Sequence, residues 1–406
     1  MRSKTIFMPA LSVTVLSLLV AGCTAPSSPT EPKATDGTSS SASSSSGPIA
    51  INILDVGGAQ RVTERIVDNF IAEHPDVISS VTWETGGAPD IVGTIKPQVD
   101  SGQLSIDVVL TGSDGLAAGV SQDLWIPIAT DYADQLSNQS GYLDSARKQQ
   151  ELADGFGVLY SYTPNGPLVW YNSATITGAD IPTSPQDVLD WAKAHPGEFG
   201  YARPANSGPG RTWLQGLPYA LGDDDPSDPV DGWDKTWAYL KELNQYVGTY
   251  PTGTGQVVSN IADGSWSMTP ISLGWDIESR SDGRIPDGIE IATFDDFTWV
   301  GDGFYFAIPR GASADRVEKI VELIEYSLAP ENNAHAFDFG YIYPGPAIKS
   351  ATLDLASEET QALISEFARP ELDALIASVP VETQLNSDNL VKAFDIWDRE
   401  IGSGKY

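Results

Sequence analysis

The stretch "PIAINILDVGGAQRVTERIVDNFIAEHP", residues 48–75, changes its hydrophobic period halfway. Ile49 to Val56 is a nearly continuous apolar run of strand length, as expected of a strand buried on both faces. Gly57-Gly58 breaks it. Val62, Ile66, Val67, Phe70 and Ile71 then recur at helical spacing as far as His74-Pro75, where a helix must stop. "VISSVTWET" (77–85) and "IDVVLTGSDG" (106–115) read as two further strands, with a helix after Pro89 between them. Strand, helix, strand, helix, strand predicts a parallel sheet with covering helices. Such sheets bind ligands outside the carboxyl ends of their strands, which puts Gly57, Gly58, Gln60, Ser113 and Asp114 on one rim.

The pattern then restarts. "GVLYSYTPNGPLVWYNS" (157–173) is strand-like on both sides of a Pro-Asn-Gly turn signal, and Ser184-Pro185 has the chemistry of an N-cap and first helical residue. "FGYARPANSGPGR" (199–211) reads as a strand and its exit loop, and "DKTWAYLKELNQYV" (234–247) as a helix. "SWSMTPISLGWDI" (265–277), "IEIATF" (289–294) and "TWVGDGFYFAIP" (298–309) read as strands, before an amphipathic helix from about Ala314 to Leu328. Two α/β lobes in succession imply a cleft. No tandem repeat of solenoid or propeller period is present.

Upstream, "LLVAGCTAPSS" (18–28) holds the only cysteine of the 406 residues. A lone Cys closes no intramolecular disulfide. Arg2 and Lys4, followed by an apolar run to Val20, have the layout of a secretory signal, too short for a membrane span. Leu19 to Cys23 resembles the lipobox of bacterial lipoproteins, which implies cleavage before Cys23, a lipidated thiol and an extracytoplasmic protein anchored to the cell membrane. Residues 24–48 are Ser, Thr, Pro and Gly without apolar periodicity, the composition of a flexible leash.

The formal charge of −32 excludes nucleic acid as a partner, since phosphate backbones require a basic surface. It mildly favours a cationic ligand, although a solvated acidic face suited to an exposed environment is the better explanation of it. His74, His195 and His335 form no pair at metal-ligand spacing, and no G-x-S-x-G elbow occurs. Asp223-Asp224-Asp225, near Asp228 and Asp231, fits no EF-hand loop. A glycoside hydrolase with paired carboxylates is the surviving enzyme class, because an acid-rich chain always offers a pair.

Lipobox, leash and two α/β lobes together resemble an extracellular solute-binding lipoprotein of an ABC importer. "VDSGQLSIDVVLTGSD", "LVWYNS" and "TWVGDGFYFAIPRGASADRVEKIVELIEYSLAPENNAHAF" carry the likeness. The closest patterns are the spermidine/putrescine and iron/thiamine branches of the type II periplasmic binding proteins. That resemblance implies a signal peptide (1–22), an anchored linker (23–48), a first lobe (49–162 with 300–345) and a second (163–299 with 346–406). It also implies a monomer that closes on a small solute and docks on permease subunits, with no cofactor, no metal and no catalysis.

Within the cleft, aromatic residues at strand exits pair with acids in a way that suits an amine. Trp275 with Asp276 and Trp299 with Asp302 fit this chemistry, and Tyr341 and Tyr343 bracket a third exit. "FTWVGDGFYFAIP" resembles the polyamine-binding branch, implying Trp299 as a stacking wall and Asp302 as the acid. Asn206-Ser207-Gly208-Pro209-Gly210-Arg211 reads differently. Small residues ahead of a helix, followed by Arg211, favour an anion. The solute is therefore expected to be amine-bearing, with an anionic or zwitterionic solute, thiamine or a ferric complex as alternatives.

Overall fold

A computed structural model describes residues 47–405. The signal peptide, Cys23 and nearly all of the linker lie outside the described residues.

Among the described residues nine strands form two sheets. β1 (Ile49–Asp55), β2 (Ile78–Thr85) and β3 (Val108–Thr111) alternate with the helices Gln60–Glu73 and Ile91–Ser101, as the periodicity requires. β1 pairs in parallel with both β2 and β3. The helix Gln60–Glu73 turns Val62, Ile66, Val67 and Phe70 inward, and each such buried side chain contributes roughly 1.5–3 kcal/mol. The return strand β8 (Trp299–Ala307) runs antiparallel to β3 and to β4 (Val158–Gly166), giving the order β2-β1-β3-β8-β4, with β9 (Val381–Glu382) beside β8. The second sheet is antiparallel, with β5 (Leu168–Asn172) between β6 (Met268–Ile271) and β7 (Ile289–Ala292).

The Pro-Asn-Gly signal at 164–166 is not a hairpin turn. β4 continues through these residues while still paired to β8, and the chain breaks at Pro167 before entering the other sheet. Proline lacks the N–H that a ladder needs, so the break falls there. The stretch from Phe199 also departs from expectation: it makes one isolated bridge to Met268 and no strand.

The cores follow the two sheets. One gathers side chains from 49–162 together with 305–351, including Ala347, Ile348 and Ala351. The other sheet is covered by two clusters drawn mainly from 168–299 and 372–401. Ala117 crosses over, since its helix Ser113–Ser121 packs on Ser387–Trp397 and places it among Leu385, Leu390 and Phe394. Among the described residues no helix is long and apolar enough to cross a membrane.

Candidate functional site

A cavity of about 300 Å³ opens where the exits of both sheets face each other. Five helices begin at its wall: Gln60–Glu73, Ser113–Ser121, Gly208–Leu221, Thr254–Ala262 and Leu273–Ser281. The first N–H groups of a helix have no intrahelical acceptor and carry partial positive charge. Three of the five starts are already served by side-chain acceptors. Asp55 accepts from the backbone N–H groups of Gly57 (3.1 Å), Ala59 (3.0 Å) and Gln60 (3.0 Å), and the Ser207 hydroxyl accepts from Gly210 N (3.1 Å). Burial raises the Asp55 pKa against the pull of those N–H groups. At Ser113–Ser121, Asp114 Oδ1 accepts from Gly115 N (2.9 Å), and the helices Thr254–Ala262 and Leu273–Ser281 start without a side-chain cap.

Arg211 lies in the cavity wall, 3% exposed. Its Nη1 is 2.6 Å from Asp114 Oδ2, and its Nη2 donates to Asp302 Oδ2 at 2.6 Å. Nε and Nη1 have no aligned acceptor. Asp302 is saturated. Asn165 Nδ2 (3.2 Å) shares Oδ2 with the guanidinium, while Ser113 Oγ (3.3 Å) and Gly303 N (2.9 Å) donate to Oδ1. A carboxylate offers about four acceptor positions, so Asp302 has none left for a ligand ammonium. Burial raises the Asp114 pKa, opposed by the charge of Arg211. Burial alone would lower the Arg211 pKa, but the carboxylates of Asp114 and Asp302 outweigh it and hold the guanidinium charged.

Part of the wall is aromatic. Phe304 and Tyr341 are nearly parallel (18°, centroids 6.1 Å apart), and Trp275 meets Tyr341 edge-on at 5.8 Å. Tyr341 Oη donates to Gly57 O at 3.1 Å. At Gly58, φ is +76° and a Cβ would lie 2.6 Å from that hydroxyl, so both the turn and the close approach demand glycine. Arg61 stands over Tyr341 and Arg284 over Trp275, and both pair with the buried Glu278.

Of the expected site residues, Gly58, Asp114, Asn206, Ser207, Arg211, Trp275, Asp302 and Tyr341 line the cavity. Ser113 sits just behind it, on Asp302. Gln60 contributes its backbone N–H to Asp55 while its side chain turns to Glu64. Three residues stand elsewhere. Trp299 is wholly enclosed in a core cluster against Phe297, which corrects its reading as a stacking wall: it opens β8 on the sheet-core side and never reaches the exit. Asp276 is 0% exposed, pinned by Trp170, Arg280 and Arg369. Tyr343 donates to Asp373 outside the cavity. Phe304, Asn165 and Arg61 were not foreseen. Phe304 had a signal, because it lies two residues beyond Asp302 on a strand and shares its face.

Asp223 accepts from Lys235 N (2.7 Å) and Thr236 N (3.0 Å) at the start of a helix. No group of three or more His, Cys, Asp or Glu side chains able to hold a metal ion occurs among the described residues.

Comparison with known proteins agrees with this geometry. The model of the bacterial extracellular solute-binding protein family matches residues 65–364, and the chain belongs to that family. A fructose-6-phosphate-bound periplasmic binding protein, AfuA of Actinobacillus pleuropneumoniae, superposes with TM-score 0.62 at 14% identity, over 87% of this chain and 99% of its own. The Atu4243 GABA receptor gives 0.59 at 13%, over 88% and 99%. A putative spermidine/putrescine ABC transporter protein of Listeria monocytogenes gives 0.56 at 16%, over 86% and 99%. No curated protein sequence matches. The fold is that of the two-lobed, type II periplasmic binding proteins, and the protein is a bacterial extracellular solute-binding protein. Its family is one of proteins that bind small solutes outside the cell.

Proposed function

We propose that the protein captures a small zwitterionic or singly charged carboxylate solute between its lobes, and delivers it to a permease. The observation that carries this reading is Arg211, a buried guanidinium in the cavity wall whose Nε lacks an acceptor, set near the uncapped starts of the helices Thr254–Ala262 and Leu273–Ser281. Both features favour an incoming acceptor group. The polyamine expectation loses its support because Trp299 is enclosed and Asp302 is fully engaged. Asp114 retains acceptor capacity, and Trp275 and Tyr341 offer aromatic faces, which suit an ammonium at the other end of a zwitterion. We take the lobes to be the halves built on the two sheets, 49–162 with 300–351 and 163–299 with 372–401, since Ala347, Ile348 and Ala351 pack in the first core, with motion about β4 and β8. Attachment through a lipidated Cys23 completes the proposal, and replacing Cys23 by Ser should release the protein from the membrane fraction.

Titration calorimetry with 4-aminobutyrate and spermidine tests the solute class. Binding of the former and not the latter is expected. Tight spermidine binding with no response to 4-aminobutyrate would restore the polyamine reading.

A further inference from the structure

We propose that Asp114 and Asp302 determine solute charge: by cancelling Arg211 they admit a zwitterion or a single carboxylate and exclude a dianion such as a phosphate monoester. The inference rests on the reading that Arg211 and the helix N-termini receive the solute's acceptor group. One guanidinium faces two carboxylates at 2.6 Å each. With both carboxylates ionised the triad sums to −1; with a proton on Asp114 it sums to zero. In neither state does Arg211 have net charge to offer. Among the described residues the only other cation in the cavity wall is Arg61, and it is paired with Glu278. The charged residues lining the cavity, Arg61 and Arg211 against Asp114 and Asp302, therefore cancel.

What remains for an anion is the partial charge of the helix starts, about half a unit each and local to the first turn. That suffices to seat one carboxylate and leaves the second charge of a phosphate facing Asp114 and Asp302. The arrangement is also fixed before any solute arrives. Ser113, Asn165 and Gly303 hold Asp302 in place, and Gly115 N donates to Asp114 Oδ1 at 2.9 Å. Neither acid depends on a solute for its orientation.

The double variant Asp114→Asn/Asp302→Asn takes the triad to +1 while keeping its shape. Thermal shift and calorimetry on the full chain, with inorganic phosphate and 4-aminobutyrate as probes, read the consequence. Phosphate should bind the double variant at least tenfold more tightly than the wild type, Asp302→Asn alone should gain less, and 4-aminobutyrate should not gain. Equal phosphate affinity in wild type and a folded double variant overturns the proposal, while 4-aminobutyrate binding that is lost in Arg211→Gln would still uphold the reading beneath it. If circular dichroism shows the double variant unfolded, Asp302→Asn alone decides, and unchanged phosphate affinity there overturns the proposal. Failure of both probes to bind any of these forms overturns both.

Discussion

Arg211 Nη2 lies 2.6 Å from Asp302 Oδ2, tying the start of the helix Gly208–Leu221 to the middle of β8. With Asp114 it makes a buried triad at the point where the two sheets face each other. Breaking a buried ion pair by removing one partner strands the other charge, at a cost of about 3–5 kcal/mol. Arg211→Gln should therefore lose that much stability in urea unfolding, and Arg211→Lys less, because it keeps the charge. A loss under about 1 kcal/mol, the range of a surface pair, would mean that the triad is solvated.

Acid titration offers a second check. Burial raises the Asp114 pKa above its ordinary 3.8 in the folded protein. Between 3.8 and the folded value, the native chain holds a proton that the unfolded chain has released. Stability from this group is thus present below 3.8 and falls as pH rises through that window. Asp114→Asn removes the effect, so its melting temperature relative to wild type should climb from about pH 4 upward and then level off. A difference that declines with pH would reverse the sign of the shift.

Asp276 and Trp275 are sequence neighbours with different roles. Asp276 ties Trp170, Arg280 and Arg369 together with no surface exposed, so Asp276→Ala should lower Tm by several degrees while the folded fraction binds solute with nearly unchanged affinity. A variant with wild-type Tm and no binding would return Asp276 to the site.

Trp275 lines the cavity whereas Trp299 does not. Solute-induced change in tryptophan fluorescence should vanish in Trp275→Phe and persist in Trp299→Phe. The opposite pattern would place the solute against β8's first residue.

How far these roles were legible in the sequence depends on the range of the forces that fix them. Period and punctuation located β1 to β3 and their helices, because a buried strand and an amphipathic helix each write their burial locally. The rim residues Gly58, Asp114, Ser207 and Arg211 followed from strand exits and helix starts. The Pro-Asn-Gly signal misled, since long-range pairing of β4 with β8 overrode local turn chemistry. Trp299 misled for a related reason: besides the adjacent Phe297 it is held by Leu375, 76 positions away, and no local pattern reveals that contact. The pairing of Arg211 with Asp302 spans 91 positions, so each looked free when read alone.

Native mass spectrometry of the protein as purified, set beside Arg211→Gln, tests the solute-binding reading most directly. Wild type should carry one retained small molecule per chain, with a carboxylate and no phosphate, and the folded variant should carry none. A polyamine as the retained molecule, or full occupancy in Arg211→Gln, would contradict it.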